Sequence, residues 1–231
     1  MTGVFLQVRL DSSRLPGKAV LDLGGRTVIE HAMAALKMVD AGVFALLTDE
    51  DSRKALYPLA EKSGFDVFCG DKNDVLKRYA DAAVFYGVNT IIRATGDNPL
   101  VSGRMAQRIL DIHKEMDADF SCFTGLPLGT GVEVDKVSAL LCAAEKASDP
   151  YEREHVNPYL YRRENEFLIN RVPCPKECYF PEARVTLDTE DDYRYLSGIF
   201  MELYRGVPIG IEALTAHLRE NKRNRSAAVK G

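Results

Sequence analysis

The stretch "GVFLQVRLDSSRLPGK", residues 3–18, joins a nearly continuous apolar run to a loop that holds Arg9, Arg14 and Lys18 within ten positions. The run from Gly3 to Arg9 reads as a strand covered on both faces, because a half-exposed strand alternates apolar and polar side chains. The loop is rich in Ser, Pro and Gly, which suffice for a turn by themselves. Three added cations point to an anion. Small residues let backbone N–H groups form a nest for oxyanions, arginine adds a planar fork of donors, and lysine adds a mobile point charge.

Outward from this stretch, Val28, Ile29, Ala32, Met33 and Leu36 recur at helical spacing. "GVFALLT" (42–48) is a second buried strand, followed by a helix over roughly 52–63 and the short apolar "FDVF". Val75, Leu76, Tyr79, Ala82, Ala83 and Tyr86 mark the next helix, and "NTIIRAT" (89–95) is a strand that runs into "GDNPL". Ser102 is placed to cap a helix carrying Met105, Ile109, Ile112 and Met116. This β-α alternation predicts an α/β fold with a mainly parallel central sheet and helices on both faces. Ligands of such sheets gather at the carboxyl ends of the strands, where both the cationic loop and "TGDNPL" fall.

The second half is less regular. "DFSCF", "GVEVD", "FLINRV" and "ARVTLD" (183–188) read as strands, with helices near 136–147 and 151–164 and a later one through Tyr193, Leu196, Ile199, Phe200 and Leu203. One domain over 1–221 is expected, with its two halves meeting near 118–119 and a fraying polar tail over 222–231.

The chain's 231 residues are 46% hydrophobic and 28% charged, as in an ordinary globular protein. A net charge of -4 argues against nucleic acid as a partner, so an anionic ligand must be held locally. No apolar run approaches the roughly 20 residues of a membrane span, and the cytoplasm is the expected compartment. Five scattered cysteines suit a reducing compartment. "CPKEC" (Cys174, Cys178) offers half a zinc site, but no second pair completes four ligands, so it reads as a loop. "LGG" (23–25) reads as a turn, and no Walker or GxGxxG pattern is present.

Asp97, in "TGDNPL", follows a strand with Gly96 allowing close approach and Pro99 stiffening the exit. A carboxylate facing bound phosphates is repelled unless a cation intervenes, and Mg²⁺ prefers one or two carboxylates plus phosphate oxygens and water. Asp188, in "LDTEDD", is the candidate second metal ligand; each acid could instead cap a helix. "DAD" (117–119) matches a metal-binding pattern of glycosyltransferases, but no phosphate-binding residues accompany it.

"QVRLDSSRLPGK", "RATGDNPL", "DPYEREHVNPYLY" and "VTLDTEDDY" occur in an order and at a spacing that resembles the spore coat polysaccharide biosynthesis protein F group, related to CMP-KDO synthetase and acylneuraminate cytidylyltransferase. The resemblance covers roughly residues 3–205 and implies a nucleotide-diphospho-sugar-transferase-like three-layer α/β/α sandwich, often a homodimer, with a nucleotide-binding half over about 1–118 and an acceptor and dimerisation half over about 119–221. The reaction implied is transfer of CMP from CTP to an acceptor, a sugar acid or a phosphate or phosphonate, with release of pyrophosphate. By this resemblance Arg9, Ser13, Arg14 and Lys18 would hold the triphosphate, Asp97 and Asp188 would hold Mg²⁺, and Arg9, Lys18 and Asp97 would be catalytic. Gln7 and Arg78 are further candidates for holding nucleotide. Glu133, Arg153 and His155 are candidates for the acceptor side, each with a bland alternative on a strand face, at a subunit contact or on a helix surface. The other histidines, 31, 113 and 217, have no partner motif.

One departure stands out: Asp11 occupies a position where the family loop has glycine, and an acid beside phosphates is unfavourable unless it meets a cation. Two alternatives remain at this point. A glycosyltransferase of the same broad fold would release nucleoside diphosphate from a nucleotide sugar. A non-catalytic nucleotide-binding homologue would bind CTP without turnover.

Overall fold

The structure, a computed structural model, describes residues 1–228, with side chains through Lys222. Its strands are β1 (Thr2–Gln7), β2 (Asp22–Leu23), β3 (Arg26–Thr27), β4 (Val43–Thr48), β5 (Asp66–Cys69), β6 (Thr90–Thr95), β7 (Phe120–Thr124), β8 (Glu133–Lys136) and β9 (Ile169–Pro173). Its helices are α1 (Val28–Leu36), α2 (Glu50–Lys62), α3 (Val75–Tyr86), α4 (Gly103–Met116), α5 (Val137–Lys146), α6 (Pro150–His155), α7 (Pro158–Tyr161), α8 (Glu190–Leu203) and α9 (Ile211–Ala228).

Seven strands form one sheet in the order β5-β4-β1-β6-β8-β7-β9. β1 pairs in parallel with both β4 and β6, while β8 runs antiparallel between β6 and β7. The chain builds leftward from β1 through β4 to β5 and then crosses to β6, so β1 and β6 flank the point where strand order reverses. Loops leaving such a point diverge and open a crevice at the carboxyl ends. The register places Gln7 beside Thr95, so the cationic loop and the turn carrying Asp97 leave the sheet side by side.

Val4 and Leu6 point into a cluster with Ile29, Leu36, Leu56 and Ile109, whereas Phe5 points into another with Leu76, Tyr79 and Leu140. Helices α1, α2 and α4 therefore cover one face of the sheet and α3 and α5 the other, giving the expected α/β/α layers. Coverage of both faces is the reason β1 shows no alternation. A third cluster, with Leu23, Leu187, Leu196, Phe200 and Leu214, packs α8 and α9 against the small β2–β3 hairpin. That hairpin turns at Gly24 and Gly25, both at positive φ, as the "LGG" reading requires. Ser102 Oγ accepts the Met105 N–H at 3.2 Å and caps α4, and Thr189 with Asp192 forms a capping box on α8.

The irregular half departs from expectation in several places. Segment 183–188 is not a strand: one bridge joins Arg184 to Leu128, and Val185 and Leu187 turn into the third cluster instead of joining a ladder. The helix expected over 151–164 is broken, because Val156 adopts a φ of 73° and Pro158 begins α7. α9 continues through Ala228, across most of the segment expected to fray, and residues 229–231 lie outside the described residues. Cys174 and Cys178 are buried in the third cluster, where burial pushes the Cys178 thiol up to about 11. In the "DAD" segment, Asp117 ends α4 and pairs with Lys136 at 2.7 Å, while Asp119 accepts the Leu168 N–H, so both serve the helix-to-strand connection. Among the described residues no helix is long and apolar enough to cross a membrane.

Candidate active site

The loop after β1 closes on itself. Gly17 donates its N–H to Leu10 O at 3.0 Å, and its φ of 68° favours a residue without Cβ. Leu10 N–H donates to Ser52 Oγ at 3.1 Å, which ties the loop to α2. Arg9 Nη1 donates to Lys72 O at 3.0 Å, so the loop after β5 braces the first cation. The acid that seemed out of place meets cations of its own: Asp11 lies 3.0 Å from Lys72 Nζ and 3.7 Å from Arg9 Nε. The hydrogen bond from Lys72, with the charge of Arg9, holds its carboxyl below the ordinary range.

Gly96 sets the approach of the second segment. A Cβ at position 96 would lie 2.9 Å from Val8 Cβ, so only glycine lets this turn rest on the loop. Gly96 N–H donates to Gln7 O at 2.8 Å, and Leu187 N–H donates to Asp97 O at 3.3 Å, linking three distant segments through the backbone. Lys18, in a short 3-10 turn, reaches into their junction. Its ammonium donates to Asp97 Oδ2 at 2.5 Å, to Leu187 O at 2.7 Å and to Asp188 Oδ1 at 2.9 Å. Asp188 also accepts from Arg14 Nη2 at 3.2 Å and from Arg184. Burial pushes its carboxyl upward, but the hydrogen bond from Lys18 and the charges of Lys18, Arg14 and Arg184 hold it below the ordinary range. Neither Asp97 nor Asp188 caps a helix; Ser102 and Thr189 do so. The two carboxylates already converge on one cation, and such hard oxygen donors suit Mg²⁺.

A cleft of about 480 Å³ opens at this junction, and Gln7, Arg9, Ser13, Arg14, Lys18, Arg78, Asp97, His155 and Asp188 all line it. Gln7 and Arg78 line the cleft, and Gln7 Oε1 and Arg78 Nε are buried without a protein partner. Glu133 and Arg153 do not line the cleft. Glu133 accepts from Arg93 Nη1 at 2.5 Å and from Asn157 at 2.8 Å, and Arg153 braces Asp74, the cap of α3, at 2.9 Å. Sequence reasoning missed Arg93 and Glu154, which line the cleft, and Lys72 and Arg184, which hold Asp11 and Asp188. A lone arginine inside the apolar "TIIRAT" was a signal for Arg93; nothing local marked the others.

The sequence profile of a family described as cytidylyltransferase matches residues 4–212. The chain belongs to the cytidylyltransferase family. It is 32% identical over 204 residues to the uncharacterized protein MJ1063 of Methanocaldococcus jannaschii, covering 87% of this chain and 82% of that one. It is 26% identical over 223 residues to the spore coat polysaccharide biosynthesis protein SpsF of Bacillus subtilis, covering 94% and 93%. A solved cytidylyltransferase from Leptospira borgpetersenii superimposes with a TM-score of 0.85 at 29% identity, covering 97% of this chain and 95% of that one. In this cytidylyltransferase the cleft-lining residues run from Gln7 to Asp188, so the cleft lies wholly inside the matched region.

Proposed function

We propose that this cytidylyltransferase joins CMP from CTP to a small anionic acceptor, a sugar acid or a phosphate or phosphonate, with Mg²⁺ and with release of pyrophosphate. The observation that carries the reading is the meeting of a cationic, small-residue loop and two carboxylates at Lys18. The similarity to SpsF supports a place in surface polysaccharide or glycoconjugate biosynthesis.

Arg9, Ser13 and Arg14 hold the triphosphate along the loop, and Gln7 and Arg78 face the nucleoside. An acceptor oxygen attacks the α-phosphorus in line, the bond from the α-phosphorus to the α,β-bridging oxygen breaks, and pyrophosphate leaves with the bonding electron pair. Arg14 and Lys18 stabilise the charge that develops on the leaving group; positioning and charge supply the catalysis. Mg²⁺, when held by Asp97 and Asp188, supplies further neutralisation of phosphate charge. An acceptor that is already anionic at the attacking oxygen needs no base. His155, at the cleft wall, is the acceptor-side residue, and Glu133 acts on the cleft through Arg93.

A thermal-shift screen of four nucleoside triphosphates with Mg²⁺ tests the nucleotide. CTP at 100-fold over Kd adds about 2.7 kcal/mol, hence a Tm shift of roughly 5–10 °C, while the others shift little. A pyrophosphate-release assay over sugar acids, polyol phosphates and phosphonates then identifies the acceptor, and Asp97→Asn lowers its rate by about 10²–10³. Nucleoside diphosphate release from a nucleotide sugar, or CTP binding without turnover on the whole panel, overturns the reading.

A further inference from the structure

The ammonium of Lys18 has three N–H groups, and Asp97, Leu187 O and Asp188 accept all three. It cannot donate to a phosphate oxygen without leaving one of these acceptors. Lys18 is also the contact that joins the two carboxylates: one cation, 10% exposed, bridges a pair whose side chains are 31% and 22% exposed. Arg184 grips the other oxygen of Asp188 and also pairs with Asp192, so the orientation of Asp188 does not depend on Lys18. Asp97 is held by its backbone to Leu187 and by the close packing of Gly96 on Val8. The carboxylate pair is thus built to stay in place while the cation between its members changes.

We propose that Lys18 and a divalent metal ion are alternative occupants of the Asp97–Asp188 pair, so that metal entry releases Lys18 to the triphosphate. This rests on the reading of those two acids as metal-holding residues. Two consequences follow from competition for shared oxygens. Metal alone binds weakly, because it must displace an ammonium tethered at high effective concentration. Metal and triphosphate bind with positive coupling, and the coupling is reciprocal: the freed lysine favours phosphate, and phosphate favours the freed lysine.

The test titrates Mn²⁺ alone into the full chain, without nucleotide, and reads free Mn²⁺ by electron paramagnetic resonance. Lys18→Met binds Mn²⁺ at least about tenfold more tightly than the parent chain, since its carboxylates have lost the one cation that bridges them, while Arg14 and Arg184 stay on Asp188 in both chains. In EDTA this variant melts below the parent chain, and millimolar Mg²⁺ closes the gap. Adding Asp97→Asn to Lys18→Met removes the tight Mn²⁺ binding and recovers the melting temperature in EDTA, because the uncompensated carboxylate is gone. Lys18→Gln, which keeps neutral donors, serves the same measurement if Lys18→Met fails to fold. Equal or weaker Mn²⁺ affinity in the variant overturns the exchange. If parent and variant bind Mn²⁺ equally without nucleotide, and both bind it with CTP beyond what CTP alone chelates, only the exchange falls; if neither binds it even with CTP, the metal reading falls too.

Discussion

Asp11 puts a negative charge into an otherwise cationic loop. It stands beside the proposed triphosphate site, and Lys72 neutralises it from a neighbouring loop and Arg9 from its own. Both partners are exposed, so solvent screens the pair and it adds little to stability. Lys72→Ala leaves the Asp11 charge facing CTP and raises KM for CTP up to about fivefold with little change in kcat. Asp11→Gly in the same background restores KM; a double variant no better than the single one would show that Lys72 acts elsewhere. Residues of the loop itself were legible in the sequence, because cations crowded among Ser, Pro and Gly are a local signal. Lys72 and Arg184 were not, because each draws its role from a partner on another segment, whereas Arg93 left a trace as a lone cation in an apolar run.

Among the elements, α4 and α1 approach each other closely at Gly103. Gly103 begins α4, and a Cβ there would lie 2.0 Å from Ala35 O at the end of α1. Backbone cannot yield as a flexible side chain can. Gly103→Ala therefore costs roughly 1–3 kcal/mol or more as the helices part. Denaturant unfolding measures the loss, and an unchanged midpoint would mean that the contact relaxes freely. Apolar runs and helical spacing exposed β1, β4, β6 and the helices between them. Segment 183–188 misled because its alternating apolar residues serve the third cluster instead of a ladder. The break at Val156 was likewise hidden, although Pro158 stood two residues away.

For the molecule as a whole, two buried groups set opposing trends of stability with pH. Burial, with the charge of Glu133, pushes the fully buried Asp135 up to about 8; burial, with the charge of Lys136, pushes His113 down to about 4. Unfolded reference values are about 3.9 and 6.5. Between pH 4 and 6.5 the folded chain binds the extra proton at Asp135 and lacks one at His113, so the slopes oppose. Above 6.5 only Asp135 acts, and stability falls towards pH 8 by up to about 1.4 kcal/mol per unit. Melting curves from pH 6.5 to 8.5 should show this fall, and Asp135→Asn should flatten it; a parallel fall in the variant would assign it to other groups. The sequence by itself determined the layered parallel architecture and the chemistry of the cationic loop, because periodicity and turn composition act over a few neighbouring residues. Only the tertiary structure decided that Lys18 meets Asp97, 79 positions away, and Asp188, 170 positions away, with all three of its protons engaged. Such meetings depend on strand order, register and close backbone packing, which bring together residues that no local pattern relates.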